Sequence, residues 1–398
     1  METAGELVPS SRVLLGPGPS NVHPRVLKAM ATPLVGHLDP EFIRLMEETK
    51  DLLRFVFQTK NTLTLPISGT GSAGMETCLV NLIEPGDEVV VGVNGVFGTR
   101  MVDIVERCGA KPVVMETQWG HVFTPDQVRD VLKRCRRPKL VALVHAETST
   151  GAWQPLEDLA ALVHHAEALF VVDAVTSLGG CPLQVDTWGI DACYSGTQKC
   201  LSCPPGLSPV TFNQAALDVI RKRKAKVQSW YLDLTMIEKY WGEERVYHHT
   251  APISMNYALR EALRLVQEEG LEARFRRHQG NHLALAAGLE AMGLSLAVQE
   301  EHRLWTLNSV MIPEKIEDAA VRRQLLDDYN IEIGAGLGPL RGQVWRIGLM
   351  GESSSRSNVL LVLSALEELL QKQGYRCAPG VGVSAAQAVY AAEGVGNR

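Results

Sequence analysis

The sequence predicts an α/β protein with a mainly parallel sheet sandwiched by helices, followed by a smaller C-terminal α/β domain. Three observations lead there. Strands that are apolar throughout alternate with helices over the first two-thirds of the chain, the pattern of a sheet covered on both faces. The grain changes after about residue 255, where long charged helices and shorter strands take over. A length of 398 residues is also too great for one comfortable core, so two domains are expected.

In chain order, "LTLPIS" reads as a strand and "AGMETCLVNLI" as the helix after it. "DEVVVGVN" is a strand, and "GTRMVDIVERCG" a helix closed by Gly109. "KPVVME" is the next strand, and "TPDQVRDVLKRC" a helix with Thr124 as cap and Pro125 in its first position. "KLVALVHA", the helix "PLEDLAALVHHAE", and the strands "LFVVDAV" and "ACYSG" continue the alternation. Beyond residue 255 come long helices, then the shorter strands "LNSVMIP", "IEIG" and "VWRIGL". The helix "NVLLVLSALEELLQKQG" follows, capped by "ESSSRS". The expected division is an N-terminal arm (1–22), a large domain (23–269), a small C-terminal domain (270–377) and a tail (378–398). The tail is Ala/Gly/Val-rich and nearly uncharged, and weak order is expected of it.

Composition narrows the function. Hydrophobic residues make up 45% and charged residues 21%, which suits a globular enzyme with a substantial core. A formal net charge of -6 argues against a nucleic-acid or polybasic membrane binder. The one dense basic run, "RKRKAK", reads as a solvated helix end. No uncharged apolar stretch approaches the ~18 residues of a spanning helix. The N-terminus has no secretory pattern and the C-terminus no peroxisomal Ser-Lys-Leu type address, so a cytoplasmic location is expected. The eight cysteines are scattered; the lone pair Cys200 and Cys203 has no second pair at zinc spacing, so no metal site is expected.

The chemistry begins at "SGTGSAG", Ser68 to Gly74, between a strand and a helix. Glycines there let backbone N–H groups approach a phosphate at the positive end of a helix. The pattern G-x-G-x-x-G suits a dinucleotide, but that reading needs an acidic residue at the end of the second strand. That strand ends "VVVGVNGVFG", and Asp87 and Glu88 stand at its wrong end. A single phosphate monoester fits better. The second anchor is Asp173, which ends the apolar strand "LFVVD", where α/β enzymes place ligand groups. The third is Lys199 in "YSGTQKC", set among small uncharged neighbours. Burial there depresses its pKa and keeps it nucleophilic. A phosphate cup, an aspartate for a pyridinium nitrogen and a lysine for an imine are what pyridoxal phosphate requires.

With those residues in place, the chain resembles the class V, fold-type I pyridoxal phosphate aminotransferases, closest to the alanine–glyoxylate / serine–pyruvate group. The resemblance runs from "LLGPGPSNVHPRVL" to about "GYR", through "HAETSTGAWQPLEDL", "YHHTAPIS" and "VWRIGLMGE". It implies that Thr70, Gly71 and Ser72 form the phosphate cup and that Gln198 also reaches the phosphate. It implies that Phe97, where the family often has tryptophan, stacks on the ring, with Val175 and Thr148 beside the cofactor. Tyr247 and Thr250 would cross to the phosphate of a neighbouring subunit, and Gly36 and His37 to its substrate pocket, making a homodimer with shared sites. Arg346 would hold the substrate carboxylate through its planar fork. The implied reaction moves the amino group of alanine or serine to glyoxylate or pyruvate through a Lys199 Schiff base. A desulfurase-type lyase would need a mobile late cysteine, and none stands between Cys203 and Cys377. A bulkier donor, of kynurenine or aminophosphonate type, stays open.

Overall fold

The computed structural model describes residues 5–392. A short strand β1 (Val13–Leu14) precedes helices α1 (Pro24–Met30) and α2 (Pro40–Phe57). Then come β2 (Leu63–Ser68), α3 (Gly71–Leu82), β3 (Glu88–Val93), α4 (Val96–Arg107), β4 (Lys111–Glu116) and α5 (Pro125–Leu132). Next are β5 (Pro138–Val144), the two-residue strands β6 (Ala146–Glu147) and β7 (Ala152–Trp153), α6 (Leu159–His165), β8 (Leu169–Asp173), β9 (Ala192–Tyr194) and β10 (Leu207–Phe212). Helices α7 (Gln214–Arg221), α8 (Leu234–Trp241), α9 (Ile253–Glu269) and α10 (Leu271–Ala291) follow. The remainder is β11 (Leu307–Met311), α11 (Asp318–Tyr329), β12 (Ile331–Glu332), β13 (Gly334–Ala335), β14 (Val344–Gly348), α12 (Arg356–Lys372) and α13 (Val381–Ala392).

Seven strands form the main sheet in the order β2-β10-β9-β8-β5-β3-β4. It is mostly parallel; β10 runs antiparallel to both β2 and β9. Alternate residues feed two separate cores. Val89, Val91, Ala142 and Val171 face one helical layer, while Val90, Val141, Leu143 and Phe170 face the other, which is why these strands read as unbroken apolar runs. From β3 the chain lays β4 on one side and β5, β8 and β9 on the other. Loops at the carboxyl ends of strands beside such a reversal are where α/β folds bind ligands.

Three segments differ from the sequence reading. The run "CLSCPPGLSP", to which no strand is assigned from sequence, ends inside β10, with Pro209 opposite Pro66. Proline in a strand argues for an edge, and it hid this interior one. "IEIG" is two short strands: β12 pairs in parallel with β1 of the N-terminal arm, and β13 joins the sheet β11-β14-β13. The tail expected to be weakly ordered instead contains α13, which buries Gly382, Ala386 and Tyr390. Its small residues allow close approach, since a Cβ on Gly288 of α10 would lie 2.8 Å from the Gly382 carbonyl oxygen. Glu367 accepts the N–H groups of Gly380 and Gly382, and Tyr390 donates to Asn281. Lack of charge therefore marks a helix that packs one small-residue face on the core here. The last tail residues, 393–398, lie outside the described residues.

Candidate active site

Asp173 closes β8 and is 2% exposed. Its Oδ1 accepts the Val175 N–H at 2.9 Å and its Oδ2 the Tyr194 hydroxyl at 2.8 Å. Burial pushes its carboxyl up to about 6, against the pull of those donors and of the Lys199 and Arg100 charges. Lys199 follows β9, and burial brings its amine down to about 8. Its Nζ donates to the Pro17 carbonyl of the N-terminal arm. Arg346 adds to that lowering, and Asp173 opposes it.

Between β2 and α3, Gly69 takes a φ of 146°, open to glycine, and turns the chain into the helix. Thr70 is the helix N-cap, yet its hydroxyl makes no capping bond, so it remains free for a ligand. A Cβ on Gly71 would sit 3.3 Å from Val175 and 3.5 Å from Gly196, so these three line one narrow space. Gln198 reaches the same place: a Cβ on Gly196 would be 2.9 Å from its Oε1. That Oε1 is buried without a hydrogen-bond partner. Ser72 accepts from Arg100 at 3.1 Å, and Arg100 also lies over the Phe97 ring, 5.0 Å from its centroid.

Arg346, on β14, donates from Nε to Ala335 O at 2.7 Å and from Nη1 to Thr148 O at 3.0 Å. Two carbonyls thus fix the guanidinium plane and leave the rest of its fork for a ligand. Burial lowers it to about 10, partly offset by Glu147. Glu147, fully buried, escaped the sequence reading. Its Oε2 accepts the Phe97 N–H at 3.2 Å, and its Oε1 accepts the N–H and hydroxyl of Ser149 at 3.0 and 2.5 Å. It therefore anchors the first turn of α4, which carries Phe97. Desolvation pushes its carboxyl up to about 7. A charged residue inside "HAETSTG", between strand and turn, was the available signal. Arg100, three residues beyond Phe97 on the same helix face, was likewise passed over.

Four candidates stand apart from this group. His37 packs on Tyr247, with ring centroids 5.2 Å apart, and its carbonyl accepts from Tyr240. Gly36 is exposed and its carbonyl receives the Asp39 N–H. Tyr247 is 57% exposed, and its hydroxyl lies 3.5 Å from that of Thr250. The segment itself is held down by His249, whose Nε2 meets Ser68 Oγ at 2.7 Å, beside the cup. The structure thus links Gly71, Val175 and Gln198 to Asp173, Ser72 to Phe97 through Arg100, and Thr148 to Arg346, and turns Tyr247 and Thr250 outward.

The sequence profile of aminotransferase class V matches residues 13–343. The chain belongs to the class-V aminotransferases. It is 44% identical to the (S)-ureidoglycine–glyoxylate transaminase of Bacillus subtilis (strain 168), over 97% of each chain. It is 44% identical to the alanine–glyoxylate aminotransferase of Mus musculus, over 91% of this chain and 88% of that one. Among solved structures, the alanine–glyoxylate aminotransferase of Nostoc sp. superposes with a TM-score of 0.91 at 51% identity, covering 93% of this chain and 98% of that one. The ureidoglycine–glyoxylate aminotransferase of Bacillus subtilis gives 0.95 at 46% identity, covering 97% and 100%. These are fold-type I enzymes, and class-V aminotransferases of this fold depend on pyridoxal phosphate. The residues of this class-V chain fit that group: the uncapped start of α3 suits a phosphate, and the Gln198 amide, turned so that its N–H2 takes the place of the unpaired oxygen, can donate to one. Asp173 suits a ring N–H and Lys199 an aldehyde. Among the described residues no helix is long and apolar enough to cross a membrane.

Proposed function

We propose that this aminotransferase moves the amino group of a small amino acid, alanine or serine, to glyoxylate or pyruvate, with Lys199 as its cofactor-bearing lysine. The observation that carries the reading is one buried amine, lowered to about 8 by desolvation and subject to the charges of both Asp173 and Arg346. When bound, pyridoxal phosphate supplies an electron sink for the charge left at the substrate α-carbon. Asp173 holds the negative charge that keeps a ring nitrogen protonated. The free edge of Arg346 binds the substrate carboxylate and sets which bond at the α-carbon faces Lys199. Lys199 Nζ would take the proton from that carbon and, as its conjugate acid, give it back to the cofactor's former aldehyde carbon. With its pKa near 8, about a tenth of the amine is neutral at pH 7, far more than for an ordinary lysine. Phe97, steadied by Glu147, offers a flat apolar wall for the ring.

The reading includes a homodimer. Leu34, Leu38, Trp230, Tyr231, Val246 and Tyr247 form a run of exposed large apolar residues around the outward-turned segment, more than a monomer usually leaves to water. A second copy covering them would bring Tyr247 and Thr250 to its partner's cup. A cytoplasmic location remains part of the proposal. A second donor, ureidoglycine, is favoured by the B. subtilis relative, whose alignment spans 97% of the chain against 91% for the mouse enzyme. Measuring kcat/KM for alanine, serine and ureidoglycine, each with glyoxylate and with pyruvate, decides between the donors. Borohydride treatment of the cofactor-loaded enzyme should fix the cofactor to the Lys199 peptide; a label on another lysine defeats the assignment.

A further inference from the structure

The N-terminal arm reaches the centre of the site by two routes. On the C-terminal side, β1 pairs with β12, the Leu15 carbonyl accepts the Gly348 N–H at 2.8 Å, and Leu15 is buried in the core around β14. Pro17 then rides over Gly334, where a Cβ would lie 2.5 Å from Pro17 Cδ. Gly334 is the sheet partner of Arg346. On the lysine side, Ser20 donates from its N–H to Gln198 O at 2.9 Å and from Oγ to Lys199 O at 2.8 Å. Between the two anchors, the Lys199 side chain lies against the Pro17–Gly18 peptide. Its Nζ donates to Pro17 O. A Cβ on Gly18 would stand 2.5 Å from Nζ, 2.7 Å from Cδ and 2.9 Å from Cε, and Gly18 has a φ of 107°. Both the space and the backbone there exclude a side chain.

We infer that the Pro17–Gly18 backbone is the seat of the Lys199 amine whenever that amine is not bonded to the cofactor, and that Gly18 is a positioning residue for it. The inference rests on Lys199 being the cofactor-bearing lysine. Transamination frees this amine in every cycle, and a long side chain released into a cavity would sample many rotamers. A carbonyl within reach holds it on the side facing the Arg346 strand, because the same segment is clamped to both. The amine then meets the substrate α-carbon without a search, as an effective intramolecular base.

The test uses the full chain with Gly18→Ala, freed of cofactor, and follows trace acetylation of Lys199 relative to exposed Lys60 by mass spectrometry. A merely structural arm would lower the melting temperature and leave this ratio alone. Loss of the carbonyl seat should raise the ratio about tenfold, the weight of one hydrogen bond to such a group. A ratio within about twofold of wild type, in a variant that still melts cooperatively, overturns the inference. If Gly18→Ala does not fold, Gly334→Ala, which pushes on Pro17 from the other side, carries the same expectation and the same refutation. Borohydride fixation on the wild-type protein is read separately. A label off Lys199 breaks the assignment of the lysine, whereas a label on Lys199 with an unchanged acetylation ratio breaks only the role of Gly18.

Discussion

Replacing Asp173 with asparagine should make the cofactor-free protein more stable and the enzyme far slower. Burial raises this carboxyl from 3.8 to about 6, the donors from Val175 and Tyr194 notwithstanding. A folded-state value above the unfolded one means that its contribution to stability is fully present below pH 3.8 and is lost as pH rises through about 6. The shift corresponds to a penalty of under about 1 kcal/mol at pH 4 and about 3 kcal/mol at pH 7. Asparagine keeps an acceptor for the Val175 N–H, and its amide can donate to the Tyr194 hydroxyl, so both contacts survive in neutral form. Allowing for less favourable geometry, Asp173→Asn should gain about 1–2 kcal/mol at pH 7 and close to nothing at pH 4. Turnover should fall by at least about a hundredfold, some 3 kcal/mol of lost transition-state stabilisation. Urea unfolding of both cofactor-free proteins at pH 4, 5, 6 and 7 measures the first effect, and steady-state kinetics the second. A variant equally destabilised at every pH would refute the burial argument. Near-normal turnover would remove Asp173 from the chemistry.

Three more outcomes are expected. Arg346→Lys keeps a charge but cannot bond Ala335 O and Thr148 O while presenting a fork; KM for the amino donor should rise about tenfold or more with the visible cofactor band retained, and unchanged kinetics would take Arg346 out of the site. Glu147→Ala strands the buried N–H groups of Phe97 and Ser149 and should cost about 2–5 kcal/mol in urea unfolding, whereas Glu147→Gln should cost less than half of that; equal losses would show that charge, not hydrogen bonding, is what Glu147 supplies. His37→Ala should alter the ratio of kcat/KM among alanine, serine and kynurenine more than it alters the melting temperature, and a uniform change across donors would deny His37 a part in specificity.

Local signals carried the sequence a long way. Apolar runs alternating with amphipathic segments gave the layered sheet because both periodicities repeat within a few residues. The glycine loop before α3 and Asp173 at the end of β8 were legible as positions, because glycine punctuation and the end of an apolar run are local patterns. Tertiary structure decided what depends on residues far apart in the chain. The bond from Lys199 to Pro17 spans 182 positions and that from Arg346 to Thr148 spans 198; no periodicity reports such pairs. Nothing local to Glu147 reports that Phe97, fifty positions away, donates its N–H to it. Pro209 hid β10, because a strand's tolerance for proline depends on which neighbour needs its N–H. The uncharged tail became α13 only because α10 offers a glycine groove to receive it. Sequence sets which groups are available and how each short stretch folds; packing sets which of them meet, since a contact's worth depends on the water that the rest of the chain excludes.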